Sequence, residues 1–199
     1  MRYWRPAGEL AGLVSGYHLY AVRPPTGIRQ RDVLQPAWPI LRITFGDPLD
    51  WRVRPPGHGW QKVPPVALFG PTSGVTWADT GAGLTIGIGI LPRGWARLAR
   101  ARAADWANRV ADPDTALRGD HGALARALAG LETDDAVPGV LDTFLRDALC
   151  SAPAEDPRVA SFEAALLDGE TRSVAVLAER VGVSVRSLER LALAAFGFA

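Results

Sequence analysis

Cysteine is almost missing from this chain. Cys150 is the only one, so no disulfide can form within it. Histidine is nearly as scarce: His18, His58 and His121 are all there are. No two of them stand as His-x-His or His-x3-His, so a metal site would have to be assembled from distant residues, and none is expected. Lysine occurs once, at Lys62, which leaves arginine to carry nearly all the positive charge. The formal net charge is only +1. No global basic field therefore draws nucleic acid, and any DNA contact must come from a local patch. Arginine suits planar recognition of phosphate and guanine, although a GC-rich genome produces the same bias. Apolar runs of membrane-spanning length are lacking. The opening MRYWRPAGELAG lacks the apolar core and cleavage site of a signal peptide, so a cytoplasmic protein is expected. Internal repeats and low-complexity tracts are missing too.

Enzyme signatures are also wanting. Gly70-Pro71-Thr72-Ser73-Gly74 is a Gly/Ser loop but not G-x-S-x-G. Gly81 to Gly89 is glycine-rich, yet it reads on as a strand and opens no helix, so it is neither a P-loop nor a dinucleotide fingerprint. Cys150 lies in a helical pattern beside Leu149 and reads as buried rather than reactive. No catalytic residue and no cofactor is expected.

What is present is an ordinary globular composition over 199 residues, with 48% hydrophobic and 22% charged residues, enough for one or two domains with a core. Residues 1 to 92 are rich in Pro and Gly and hold most of the seven Trp. Tyr17, Leu19 and Ala21 alternate with His18, Tyr20 and Val22. Leu41, Ile43 and Phe45 alternate with Arg42 and Thr44, and Gly46-Asp47-Pro48 marks a turn. Further strands are expected near Trp51, at Val66 to Phe69 and at Val75 to Ala78, with Leu84 to Leu91 the clearest. Many short strands between turn signals predict a small barrel or sandwich. In the last strand Leu84, Ile86, Ile88 and Ile90 share one face, while Thr85, Gly87 and Gly89 share the other. Two glycines on one face mean that something comes close there, either packed protein or a ligand. Trp4, Trp38, Trp51, Trp60 and Trp77 can wall an apolar pocket or serve as plain core. Arg42 and His18, with Trp77, are the candidate ligand-binding residues. The two polar side chains either anchor a carboxylate or face solvent.

From Arg93 the period becomes helical. Trp95, Leu98 and Ala99 form a stripe after Pro92. Ala103 to Val110 adds a turn of helix, Asp112 to Gly119 a loop, and Gly122 to Leu131 and Val137 to Ser151 two helices. Ala152 to Pro157 reads as a linker. A helix then starts at Pro157, with Val159, Phe162, Ala165, Leu166 and Leu167 expected inward, and ends at Asp168-Gly169-Glu170. This divides the chain into residues 1–151 and 157–199, the helical part of the first running from about 93 to 151.

Ser173 to Gly197 organises the rest. Val174, Leu177, Ala178 and Val181 share one helical face. Gly182 can stop that helix in the left-handed conformation, and Ser184 can cap the next. Leu188, Leu191 and Ala195 turn inward, and Arg186, Glu189, Arg190 and Leu193 share the opposite face. Ala178, Gly182, Val183, Leu188 and Leu191 at these spacings form a helix-turn-helix pattern. Its second helix would offer Arg186, Glu189 and Arg190 to base edges, with Ser184 and Arg172 toward phosphate.

Leu177-Ala178, Ser184, Leu188, Arg190 and Phe196-Gly197 resemble the first helix-turn-helix of AraC-type bacterial transcription regulators. The run RYWRPAGELAGLVSGYHLY, Leu68-Phe69-Gly70-Pro71 and IGIGILPRGWARL resemble the sensory half of one subgroup of that family. The resemblance implies an α+β chain: a cupin-like small β-barrel that senses an effector, helices that dimerise, and a DNA reader. It also implies a long linker helix, which would begin where the chain stops at Phe198-Ala199, and a second helix-turn-helix beyond it, so residues 157–199 are expected to be only the first half of a truncated DNA reader. Leu193 and Ala194 depart from the basic residues common there, and Ala192 from the common Phe. The expected partners are DNA, bound weakly by this length of chain, a small-molecule effector and a second copy of the chain, with no membrane. The alternative is a stand-alone cupin-like ligand-binding or dimerisation module without DNA binding, and a third option is a cupin enzyme.

Overall fold

The computed structural model describes residues 1–46, 50–169 and 173–199. Asp47 and Pro48 of the expected turn, and Arg172 of the expected phosphate contacts, lie outside the described residues. The chain is mixed α+β, with two antiparallel sheets and six α-helices among the described residues.

The strands are β1 (Arg2–Trp4), β2 (Val14–Val22), β3 (Gln30–Leu34), β4 (Ile40–Gly46), β5 (Arg52–Arg54), β6 (Gln61–Lys62), β7 (Val66–Phe69), β8 (Thr76–Thr80), β9 (Gly83–Ile90) and β10 (Val110–Ala111). The larger sheet has the order β1-β2-β9-β4-β7-β10 and the smaller β3-β8-β5-β6. Neither order returns on itself, so the expected barrel is replaced by two open sheets. Both faces of the central strands β2, β9 and β4 are covered. Tyr17, Leu19, Leu41, Ile43, Ile86, Ile88 and Ile90 fill one face and pack under the helices. The opposite face, with Val22, Ala67 and Phe69, packs on Trp51, Val53 and Ala78 around the smaller sheet. Period-two alternation sends successive residues of one strand to these two environments.

The helices are α1 (Pro92–Leu98), α2 (His121–Ala129), α3 (Val137–Cys150), α4 (Pro157–Leu167), α5 (Val174–Val181) and α6 (Val185–Ala195). Pro92 opens α1 as the first helical residue, where its missing N–H costs nothing. Residues 103–106 form a single 3-10 turn, shorter than the expected helical stretch. Trp95 and Leu98 join Leu124, Leu128, Leu141 and Leu145 over the large sheet. Asp142 on α3 accepts hydrogen bonds from the Tyr17 hydroxyl at 2.6 Å and the Ala7 N–H at 3.1 Å, tying helix to sheet. Burial and this bond push the Tyr17 hydroxyl pKa upward.

Helices α4 to α6 own a separate core of Val159, Phe162, Ala165, Leu177, Ala178, Val181, Leu188, Ala192, Ala195 and Phe196. Val174, Leu166 and Leu167, expected inward, are exposed: Val174 lies at the first turn of α5, and Leu166 and Leu167 close α4 outside the core that Val159, Phe162 and Ala165 join. This unit rests against the remainder of the chain. Phe196 stacks on Phe162 at 4.7 Å and meets Trp38 edge-on at 5.9 Å. Arg93 pairs with Glu155 at 2.6 Å across the α3–α4 connection.

Candidate functional site

Two places gather functional side chains. The first is a cavity of about 180 Å³ between the sheets. His18 and Tyr20 enter it from β2, Arg42 and Thr44 from β4, and Thr85 from β9. The smaller sheet supplies Gln30, Asp32, Leu34, Val53, Ala78 and Thr80, and Trp51, Val63 and Phe69 complete the walls. His18 and Arg42 therefore do not face solvent. The residues that alternate with the apolar stripe are roofed by a second sheet that a strand pattern cannot reveal.

Gly87 is what admits both side chains. It is the direct cross-strand partner of His18 on β2 and of Arg42 on β4. A Cβ on Gly87 would overlap the His18 ring atoms Cε1 and Nε2, and one on Gly89 would overlap Ser15 Oγ. The close approach expected on the glycine face is thus made by side chains of the neighbouring strand.

Arg42 is the unusual group. Its Nε is buried without a hydrogen-bond partner. Among the described residues it forms no ion pair, and its guanidinium carbon lies 4.5 Å from the Phe69 ring centroid. Burial pushes its pKa down to about 10, which still leaves it charged at neutral pH. Burial, and secondarily the Arg42 charge, pushes the His18 pKa down to about 4, so that imidazole is neutral. The cavity thus holds one uncompensated cation among hydroxyls and aromatic walls.

Trp77 does not join them. It is 43% exposed on the outer face of β8, because Thr76, Ala78 and Thr80 take the inward positions. There Arg54, its cross-strand partner, stacks between Trp77 at 5.8 Å and Trp60 at 5.6 Å. Trp51, one of the candidate wall tryptophans, does line this cavity. Phe69, Thr44, Thr85, Tyr20 and Gln30 are lining residues absent from the candidate set, although strand parity puts Thr44 beside Arg42 and Thr85 beside Gly87. The pairing of the smaller sheet has no comparable local signal.

The second place is the α5–α6 pair. Gly182 adopts φ 75° and ψ 33°, the left-handed conformation that glycine enters without a Cβ clash. Its N–H bonds to the Glu179 carbonyl at 3.0 Å, and the Val183 N–H bonds to Ala178 at 2.9 Å. Ser184 then caps α6, its Oγ accepting from the Ser187 N–H at 3.2 Å. Leu188, Ala192 and Ala195 are buried, and Arg186, Glu189 and Arg190 are exposed. No family model, no curated protein and no solved structure matches this chain.

The C-terminal half of α6 is less open than its start. Ser187, Arg190, Leu193 and Ala194 face Arg102, Asp156 and Arg158 across a groove of about 450 Å³. Arg102 pairs with Asp105 and Arg158 with Asp156, each at 2.7 Å. Leu193 and Phe196 are half-buried and buried, respectively, because the rest of the chain borrows their surfaces, while Phe198 remains 38% exposed. Elsewhere, His58 is exposed, and His121 is buried with Nδ1 2.6 Å from Asp114. Cys150, expected buried, is exposed because it closes α3 on the side away from Ala148 and Leu145.

Proposed function

We propose that this chain is a cytoplasmic DNA-binding transcription regulator of the AraC kind, with an effector-sensing, cupin-like N-terminal half and a helix-turn-helix reader built from α5 and α6. The observation that carries this reading is the left-handed Gly182 turn between two short helices, with Ser184 capping the second and Arg186, Glu189 and Arg190 exposed upon it. A helix capped and oriented in this way can enter a major groove N-terminus first. Arginine there can bind guanine O6 and N7, and glutamate can accept from cytosine N4. Arg102 and Arg158 beside the groove could exchange their carboxylate partners for phosphate, supplying the local positive charge that the overall composition lacks. Two copies related by a twofold axis would read paired half-sites. The chain acts by binding rather than by catalysis.

The test is selection of bound duplexes from a random pool, followed by anisotropy titration of the winner. Arg186→Ala and Arg190→Ala should each weaken binding by about 1–3 kcal/mol where a base contact is lost. Binding should also weaken steeply with salt. Unchanged affinity in both variants refutes the assignment. A second reading, a ligand-binding or dimerisation module without DNA contact, is favoured by Leu193 and Ala194 facing the chain's own Arg102 and Asp156. Failure to enrich any duplex supports it.

A further inference from the structure

We infer that the cavity between the two sheets binds a small organic monocarboxylate, its carboxylate held by Arg42 and its apolar body by Trp51, Val53, Val63 and Phe69. This names an effector class for the sensor reading above, and rests on that reading only for its regulatory meaning.

The argument starts from an unmet charge. A buried ion without a partner is costly, because the interior replaces only part of its lost hydration. Arg42 has Phe69 against its guanidinium, but no carboxylate among the described residues pairs with it, and Nε has no acceptor. The nearest thing to a counterion in the wall is Asp32, which is exposed and spends Oδ1 on the Val33 N–H at 2.7 Å. An anion entering the cavity would meet a planar fork of N–H donors that matches carboxylate geometry.

The surroundings set the rest of the ligand. The Tyr20 hydroxyl, which accepts from Gln30 Nε2 at 3.1 Å and keeps its own proton, and the second Gln30 amide N–H can donate to the oxygens left over from Arg42, whereas the Thr44, Thr80 and Thr85 hydroxyls already donate within the wall. His18, neutral at pH 7, adds a ring N–H and no second cation. With one positive charge inside and Asp32 in the wall, a single negative charge is matched and a dianion is not. A neutral sugar would leave the arginine uncompensated. The volume of about 180 Å³ admits one ring or a short chain, since an apolar cavity of about 150 Å³ takes benzene. Met1 and Asp32, both exposed, form the rim through which the ligand would pass.

The test uses the whole chain without DNA. Butyrate, hexanoate and benzoate are compared with butyramide, hexanamide and benzamide by thermal shift and calorimetry, at constant ionic strength and pH 7. At least one acid should raise the melting temperature and bind at least tenfold more tightly than its amide. Arg42→Met, similar in volume and uncharged, should abolish that preference, and Ala78→Leu should block binding by filling the cavity. Amides that bind as well as the acids overturn the proposal, as do acids that bind Arg42→Met unchanged or a panel with no binder. Should Arg42→Met fail to fold, the contrast between acid and amide on the unaltered chain decides. Since no DNA is present, failure here leaves the Arg186 and Arg190 titrations standing, and their failure leaves this result standing.

Discussion

Replacing Gly87 with alanine puts a methyl group where the His18 imidazole lies. Gly87 is buried, pairs with His18 on one side and Arg42 on the other, and does not have a positive φ. Alanine can therefore adopt the backbone, and the cost is steric. A Cβ at this position would overlap Cε1 and Nε2 of His18, and the flat ring must swing aside into a space that Arg42 shares. Overpacking of this kind costs about 1–3 kcal/mol. Glycine in a strand is itself disfavoured by roughly 0.5–1 kcal/mol, which offsets part of the penalty. The net loss should be about 1–2 kcal/mol, or roughly 2–8 °C of melting temperature for a chain of this size. Urea and thermal melts followed by circular dichroism would measure it. The decisive comparison is the same substitution in a His18→Ala background, where the methyl has room. The two changes should then be coupled by about 1–2 kcal/mol. Gly87→Ala costing the same in both backgrounds would refute the packing argument, and with it the idea that this glycine exists to seat His18 beside Arg42.

Two further predictions concern stability. The folded-state pKa of His18 is pushed down to about 4 by burial, with Arg42 adding to the shift, whereas an unfolded histidine titrates near 6.5. The unfolded chain thus binds the extra proton between these values, and stability present above pH ~6.5 is lost as pH falls toward 4, by about 2–3 kcal/mol. His18→Gln should flatten the urea midpoint over that range, and an unaltered slope would show that other groups govern it. Phe196→Ala should cost about 3–5 kcal/mol, because the ring is 7% exposed between Phe162 and Trp38. It should also speed proteolysis within residues 151–156, which connect α3 to α4. A loss below about 1 kcal/mol would mean that the C-terminal helices are held to the sheets by other contacts.

Much of the helical half was legible because its signals are local. Pro92 and Pro157 start helices, Gly182 and Ser184 stop and restart one, and apolar spacing of three and four marks the buried faces. The same locality made Arg186, Glu189 and Arg190 visible as one exposed face. Among strands, β2, β4 and β9 were legible from alternation, and β5, β7 and β8 as short segments between turn signals, whereas β1, β3, β6 and β10 were not. Two of these have two residues and one has three, and β3, Gln30–Leu34, carries a burial pattern without a clean period. Such strands exist because a partner supplies hydrogen bonds, and the partner lies far along the chain: Gln30 pairs with Thr80, and Val110 with Phe69.

By itself, the sequence determined which residues share a face. Tyr17, Leu19, Leu41, Ile43, Ile86, Ile88 and Ile90 had to lie opposite His18, Arg42 and Gly87, since a strand turns its side chains with period two. It also determined the α5–α6 break, because only a glycine at position 182 takes the left-handed turn freely. Tertiary structure alone decided what each face meets. The pairing of β3, β8, β5 and β6 into a second sheet turned the polar face of β2 and β4 into the wall of a cavity, left Trp77 outside it, and buried the Arg42 guanidinium. Those outcomes depend on contacts between segments far apart in the chain, whose stability comes from the area they bury together, and no short window of sequence carries that information.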